Sequence, residues 1–245
     1  MPDNENVNRD GLITYGGGSS SDYGMVISEA PTFERPARKA TVYNVPGRNG
    51  SVIFQQDAWE DVARSYEVWV ADNSEQDLAE AVNAFTAWLN SKKGYQRLED
   101  NFEPDTFRLA YYTGGMELAN QMMSAGSGTL TFMCRPERFL KTGETPVTVT
   151  NGSTISNATL FTAKPLIHIE GSGTFGVQIG GNTITAVVTD YINIDCETMN
   201  AYRLATENKN SSISGSFPII KPGSNSVGVT GSPTLVTVVP RFFTI

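Results

Sequence analysis

The single histidine, His168 in "LIHIEG", is the first place to look for chemistry, because Glu170 follows it closely. On a strand, Leu166, His168 and Glu170 share one face and Ile167 and Ile169 the other, so the carboxylate could orient the imidazole as a general base. No Ser or Cys at a nucleophile elbow accompanies the pair, and a structural or exposed histidine is the expectation. Two acidic groups come next, Asp57, Glu60 and Asp61, and then Glu99, Asp100, Glu103 and Asp105. A glycoside hydrolase needs two facing carboxylates, and a calcium loop needs oxygen ligands at fixed steps. "EDNFEPD" matches no calcium loop and is interrupted by Pro104, so these acids read as solvated loop residues. "GGGSS", residues 16–20, lacks the lysine of a phosphate loop and opens no helix, which leaves a flexible turn. Cys134 and Cys196 cannot close a zinc site with one histidine. Both lie in strand-like runs, "TLTFMCRP" and "INIDCETM", where two buried free thiols are expected rather than one disulfide. No metal, cofactor or enzymatic activity is expected.

The elements that would position such residues are mostly strands. The 245 residues include 23 glycines, 39% are hydrophobic and only 18% are charged, the balance of a β-rich, turn-rich chain with one large domain or two modest ones. The net charge of −8 and the absence of a Lys/Arg cluster beyond Arg35, Arg38 and Lys39 disfavour binding to nucleic acid, although acidic walls would let DNA slide past. "MPDNENVNRDG" does not read as a signal peptide, and no apolar run approaches a membrane span. Synthesis in the cytoplasm is the expectation, and the sequons at Asn151, Asn157 and Asn210 read as chance matches.

Charge divides the chain. Residues 1–141 carry 13 Lys/Arg against 20 Asp/Glu, whereas residues 142–245 carry 5 against 6, and Trp59, Trp69 and Trp88 all lie in the first part. "LKTGETP", residues 140–146, reads as a linker between domains 1–141 and 142–245. In the first, "ARSYEVWVA" alternates, with Tyr66, Val68 and Val70 on one face and Glu67 and Trp69 on the other. One helix is expected over about 75–92: Ser74 and Asp77 form a capping box, Leu78, Ala81, Val82, Phe85, Trp88 and Leu89 make one face, and Lys92, Lys93 and Gly94 suit its end. "YQRLED", "TFRLAYYTG" and "TLTFMCRPERF" follow as strands, so a helix lying on an antiparallel sheet is expected. The second part holds only short strands and turns, with "GGN" at 180–182 as a hairpin signal, the pattern of a β-sandwich. Aromatic runs such as "AYY" and "RFFTI" could stack on sugars, but at alternating strand positions they read as core.

One stretch has turn chemistry without catalytic neighbours. In "ARKATVYNVPGRNGSVIF" two strand-like arms flank Pro46-Gly47 and Asn49-Gly50, with Arg48 between them. The glycines permit tight turns with positive φ. Taken alone, the stretch reads as an ordinary surface loop.

"SDYGMVI", "VPGRNGSVIF", "SYEVWV", the single amphipathic helix and "TLTFMCRPERF", in that order, resemble the N-terminal domain of the siphophage distal tail (Dit) family. "NATLFTAKPLIHIEGSG", "DYINIDCETMNAY", "GSFPIIKPGSNSV" and the ending "VVPRFFTI" are similar to that family's galectin-like C-terminal domain. Family members often end with tryptophan where Phe242 and Phe243 stand here. The resemblance implies a mainly β fold, an α+β N-terminal domain with a projecting hairpin, about 35–54, and a C-terminal galectin-like β-sandwich. It implies a structural virion protein at the tail tip or baseplate, assembled in the host cytoplasm as a hexameric ring hub. Its partners would be the tail tube protein, the tape measure protein and the tip or receptor-binding proteins, with no membrane and no specific nucleic-acid binding. It makes Arg38, Tyr43, Asn44, Val45, Pro46, Gly47, Arg48, Asn49 and Gly50 subunit-interface residues of a belt hairpin. The competing reading is a carbohydrate-binding module for host cell-wall glycans, which an open groove with exposed aromatics would favour.

Overall fold

The computed structural model describes residues 11–32, 34–71, 78–115, 118–122, 125–204 and 206–245. The chain folds as two compact units, residues 1–138 with Ile245, and residues 139–244.

In the first unit the strands are β1 (Ile13–Tyr15), β2 (Gly18–Ser19), β3 (Met25–Ile27), β4 (Arg38–Tyr43), β5 (Val52–Trp59), β6 (Val62–Ala71), β7 (Gln96–Asp100), β8 (Thr106–Tyr112), β9 (Leu118–Met122) and β10 (Ala125–Leu140). The helix α1 (Leu78–Asn90) falls between β6 and β7. The main sheet runs β2-β1-β7-β8-β10-β6-β3, with β9 also paired to β10, while β4 and β5 form a separate two-stranded sheet. Alternation on β6 works as its sequence implies: Tyr66, Val68 and Val70 are buried, and Glu67 faces out. They meet Leu130, Phe132 and Cys134 of β10 and Phe85, Trp88 and Leu89 of α1 in one core. Tyr15 packs tilted against Phe132 at 4.9 Å, and Tyr23 stacks on Trp88 at 4.9 Å. The capping box at Ser74 and Asp77 lies outside the described residues. At the other end the helix closes earlier than its lysines suggest. No basic residue falls in the last turn, Ser91 N–H bonds to Ala87 O, and Gly94 turns the chain with φ of +67°.

The second unit is a two-sheet sandwich. Its strands are β11 (Val147–Thr148), β12 (Thr154–Asn157), β13 (Leu166–Glu170), β14 (Gly173–Ile179), β15 (Asn182–Val188), β16 (Tyr191–Asp195), β17 (Asn200–Arg203), β18 (Glu207–Asn208), β19 (Ile213–Gly215), β20 (Gly223–Thr230), β21 (Leu235–Val239) and β22 (Phe243–Thr244). One sheet runs β11-β21-β13-β16-β17-β18 and the other β12-β20-β14-β15-β19. Inward residues such as Ile167, Ile169, Val177, Ile184, Ile194, Val236 and Val238 form a core of their own. Residues 141–144 fold as a 3₁₀ turn within this unit. A side chain at Gly143 would strike the Phe242 backbone, and Arg241 N–H bonds to Gly143 O, so this turn and the chain end hold each other. The fold is mainly β, as its sequence implies.

Candidate functional site

The hairpin β4–β5 departs from the ordinary rule that apolar side chains go inside. Its register pairs Val42 with Ile53, Thr41 with Phe54 and Tyr43 with Val52. Thr41, Tyr43, Val52 and Phe54 therefore share one face, and Ala40, Val42, Ile53 and Gln55 the other. Both faces carry large apolar groups in solvent: Val42 and Tyr43 are each 56% exposed, Ile53 59% and Phe54 60%. Tyr43 and Phe54 shield each other in part, in an edge-on pair at 5.8 Å. A two-stranded hairpin standing alone is marginal in water, and each such side chain forgoes part of the about 1.5–3 kcal/mol that full burial supplies.

The two ends are built differently. At the base the register shifts between Arg38 and Ala40, and the Arg38 guanidinium lies 4.9 Å from the Trp59 ring and 3.4 Å from Asp57. At the tip Ser51 Oγ donates to Asn44 Oδ1 at 2.7 Å, and Arg48 N–H bonds to Val45 O at 3.2 Å. Gly47 and Gly50 take φ of +79° and +80°, with open space where a side chain would stand. Val45 is exposed, and Arg48 has no ion pair with any described residue. Arg38, Tyr43, Asn44, Val45, Pro46, Gly47, Arg48, Asn49 and Gly50 thus occupy one exposed hairpin, running from its base to its tip.

The segment leading into the hairpin is held by a group that the sequence conceals. Arg64 is only 2% exposed and donates to Asp100 Oδ2 at 3.0 Å and to Thr32 O at 2.9 Å. Tyr66 O–H donates to the same carboxylate oxygen at 2.8 Å. Glu103 accepts from Arg108 at 2.9 Å and Arg138 at 2.8 Å. Burial would push the Glu103 carboxyl up, but Arg108, Arg64 and Arg138 outweigh it and hold it below the ordinary value. Asp100 and Glu103 are therefore not solvated loop acids. Burial demands paired charges, and the arginines supply them from β6, β8 and β10, too far apart in sequence for spacing to reveal.

Residues 20–134 match the family model described as phage tail protein RIFT-related domain. That stretch is similar to a phage tail domain. Over 96% of its length the chain shares a fold with SPP1 Dit, a hub adsorption apparatus protein of phages infecting Gram-positive hosts, at a TM-score of 0.74, 16% identity and 99% coverage of that chain. A chain of the phage p2 baseplate, in its activated conformation with strontium, matches over 94% of this chain and 97% of its own at a TM-score of 0.54 and 11% identity. No curated protein matches in sequence. The hairpin and the buried Arg64–Asp100 pair both lie within the matched residues 20–134.

The remaining residues singled out for chemistry make local contacts. His168 bridges Asn193 Oδ1, 2.8 Å from Nδ1, and Glu170 Oε1, 3.0 Å from Nε2, on the outer face of the sandwich. Cys134 and Cys196 are free and buried, one in each unit, and burial pushes both thiols up to about 12. Asp61 accepts from Tyr95 O–H, and Gly16 and Gly17 form the tight β1–β2 turn. Among the described residues no group of His, Cys, Asp and Glu could hold a metal, and no helix is long and apolar enough to cross a membrane.

Proposed function

We propose that the protein is a distal tail hub of a siphophage virion, a homo-hexameric ring at the end of the tail tube. Six copies clasp one another through the β4–β5 hairpin and join the tube to the adhesion device. The observation that carries this reading is the hairpin itself, with exposed apolar residues on both faces inside the stretch that matches a phage tail domain. A closed ring repeats one heterologous contact and leaves no copy of the hairpin uncovered. Each contact would bury Val42, Tyr43, Ile53 and Phe54 and supply the stabilisation that the isolated hairpin lacks. The SPP1 Dit and phage p2 baseplate folds support a place among other tail components. The partners in this reading are the tail tube protein, the tape measure protein and the tip or receptor-binding proteins. The role is structural and not enzymatic, and the genome passes without sequence-specific contact, since the net charge is −8. Residues 1–141 would form the ring and residues 142–245 the outward galectin-like domain, with assembly in the host cytoplasm. Native mass spectrometry of the full chain, alone and mixed with the tail tube protein, tests the ring. A six-fold mass is expected, and a monomer at every concentration in both mixtures would overturn it.

A further inference from the structure

The chain contains the triplet Asn-Gly-Ser twice, at residues 49–51 and 151–153, and the fold treats the two copies differently. Both asparagines are exposed, and both glycines take positive φ, +80° at Gly50 and +90° at Gly152. Neither glycine has an atom within 4 Å of where a side chain would stand. The hydrogen bonds differ. In the second unit Gly152 N–H donates to Val227 O at 2.9 Å, and Asn151 Oδ1 accepts from Val229 N–H at 3.2 Å. Ser153 N–H closes the same turn on Thr150 O at 3.0 Å, and Ser153 Oγ accepts from Thr150 N–H at 2.9 Å. The hairpin tip has no such frame. Neither the Asn49 side chain nor Gly50 N–H has a hydrogen bond with any described residue. The nearest bonds, Arg48 N–H to Val45 O and Ser51 Oγ to Asn44 Oδ1, leave both groups free.

We propose that Asn49 is a site of spontaneous deamidation in the free chain, whereas Asn151 is kept intact by its bonds. The Gly50 main-chain nitrogen, after losing its proton to solvent base, attacks Asn49 Cγ. A C–N bond forms, the Cγ–Nδ2 bond breaks, and Nδ2 takes up a proton and leaves as ammonia. The product is a five-membered succinimide. Water then opens the ring, to aspartate where the new bond breaks and to isoaspartate where the original main-chain bond breaks. The sum is asparagine and water giving an acid and ammonia, with no oxidant or reductant. Attack requires a backbone free to turn and a nitrogen not crowded by the next side chain, and Gly50 at an exposed loop tip supplies both. At Asn151 the bonds to Val227 and Val229 must break together before the nitrogen can reach Cγ. Conversion at residue 49 sets a carboxylate beside Arg48, and isoaspartate also lengthens the main chain of the tip by one methylene. In one respect this rests on the hub reading: the change falls on unassembled copies, because ring closure covers the hairpin.

The test incubates the folded full chain in mildly alkaline buffer made with heavy-oxygen water, which marks each converted residue, and maps its peptides by mass spectrometry. An isoaspartyl methyltransferase counts the isoaspartate. Ile53→Ser protein is treated beside the unaltered chain, so that assembly cannot protect the tip. Asn49 should convert about tenfold or more faster than Asn151, equivalent to a barrier about 1.4 kcal/mol lower, with isoaspartate among the products. In urea the two triplets should convert at similar rates, since only the fold separates them. Asn49→Gln should remove conversion at the tip and leave Asn151 as it was. Equal rates at the two sites in the folded Ile53→Ser protein, a faster Asn151, no conversion at Asn49, or the same difference persisting in urea would each overturn the inference. Conversion at Asn49 in a chain that never reaches a six-fold mass would keep this site and remove the ring. A six-fold mass for the unaltered chain, with Asn49 intact in the Ile53→Ser protein, would keep the ring and remove this site.

Discussion

Two hairpins in this chain use the same turn chemistry and have opposite fates. The β14–β15 hairpin pairs without interruption from Gly173–Val188 to Ile179–Asn182 and reverses at Gly180 and Gly181, with φ of +64° and +93°. Its Val177, Ile179, Ile184 and Ala186 are buried in the sandwich. The β4–β5 hairpin also reverses at positive-φ glycines, yet its comparable side chains stand in solvent. Turn residues say where a chain doubles back and are silent on what covers it. The arms are more informative. In "GVQI" and "TITA" apolar residues alternate with others, the mark of one covered face, whereas "TVY" and "VIF" place apolar residues consecutively and so on both faces. A strand of the second kind is stable when both its faces are covered, and the described residues of its own chain cover neither.

The largest expected effect lies at the root of the exposed hairpin. Arg64 reaches from β6 to Thr32, in the segment that leads into β4, while Asp100 neutralises it. Removing one partner leaves a charge buried without compensation, so Asp100→Ala should cost the monomer about 3–5 kcal/mol in urea unfolding. A double replacement, Arg64→Met with Asp100→Leu, should recover much of that loss, because neither charge is then stranded. If the double variant is as unstable as the single one, the pair contributes through its hydrogen bonds to Thr32 and Tyr66 rather than through charge balance.

Next comes the direct contrast between the hairpins. Ile184→Ala should lower monomer stability by about 2–5 kcal/mol, since it opens a cavity in a closed core. Ile53→Ser should change it by about 0.5 kcal/mol or less, because the residue is already 59% exposed. In assembly the order should reverse: folded Ile184→Ala retains the six-fold mass, and Ile53→Ser loses it. Equal unfolding midpoints for the two variants would mean that the hairpin is buried in the monomer and that the contrast does not exist.

Much of this was legible from residue spacing. The alternation of β6, the apolar face of α1, the Gly-Gly-Asn turn and the inward Ile167 and Ile169 all follow from local periodicity, which depends only on near neighbours. The buried charges were not legible. Asp100 and Glu103 sit in "EDNFEPD", where a polar run beside a proline looks like a loop, and their arginines arrive from strands distant in sequence. The bond between His168 and Asn193 was hidden for the same reason, since strand register, not spacing, brings the two together. The hairpin tip was visible as turn chemistry, but the exposure of both faces needed the pairing of Val42 with Ile53.

A smaller effect distinguishes the units by acid. In the first, Glu103 is held below its ordinary value of 4.5 by its arginines despite burial. In the second, burial would raise Asp195, but its bidentate bond with Arg241 holds it below its ordinary value of 3.8. A depressed folded-state value means that the stabilisation is fully present above the unfolded value and is lost as pH falls through the folded one. Stability should therefore be flat from neutrality down to the ordinary carboxylate range and decline below it. Glu103→Gln should flatten that decline for the first unit, and Asp195→Asn for the second. Acid titration of each variant, followed by tryptophan fluorescence for the first unit, which holds Trp59, Trp69 and Trp88, separates the two. An unchanged acid limb in Glu103→Gln would remove that carboxylate from the account.

The smallest effect on folding, and the sharpest on the contrast, is expected at the tip. Arg48 is exposed and without an ion pair among the described residues, and Gly47 and Gly50 beside it face open space. Replacing Arg48 by glutamate, or deleting residues 44–50, should therefore change monomer stability by about 0.5 kcal/mol or less. In a ring the same change is repeated at every contact. If Arg48 meets a carboxylate of the neighbouring copy in a desolvated position, reversing its charge costs about 2–5 kcal/mol per contact, and at a wet rim at most about 1 kcal/mol. The salt dependence tells these apart, since a rim pair weakens over the Debye length of about 8 Å at physiological salt and a desolvated one hardly responds. Thermal melting and native mass should consequently diverge: an unchanged melting temperature for the monomer, with the six-fold species reduced. A melting temperature that falls by many degrees would place Arg48 in the fold of its own chain. Normal assembly of the Arg48→Glu protein would confine the interface to the arms, where Val42, Tyr43, Ile53 and Phe54 stand.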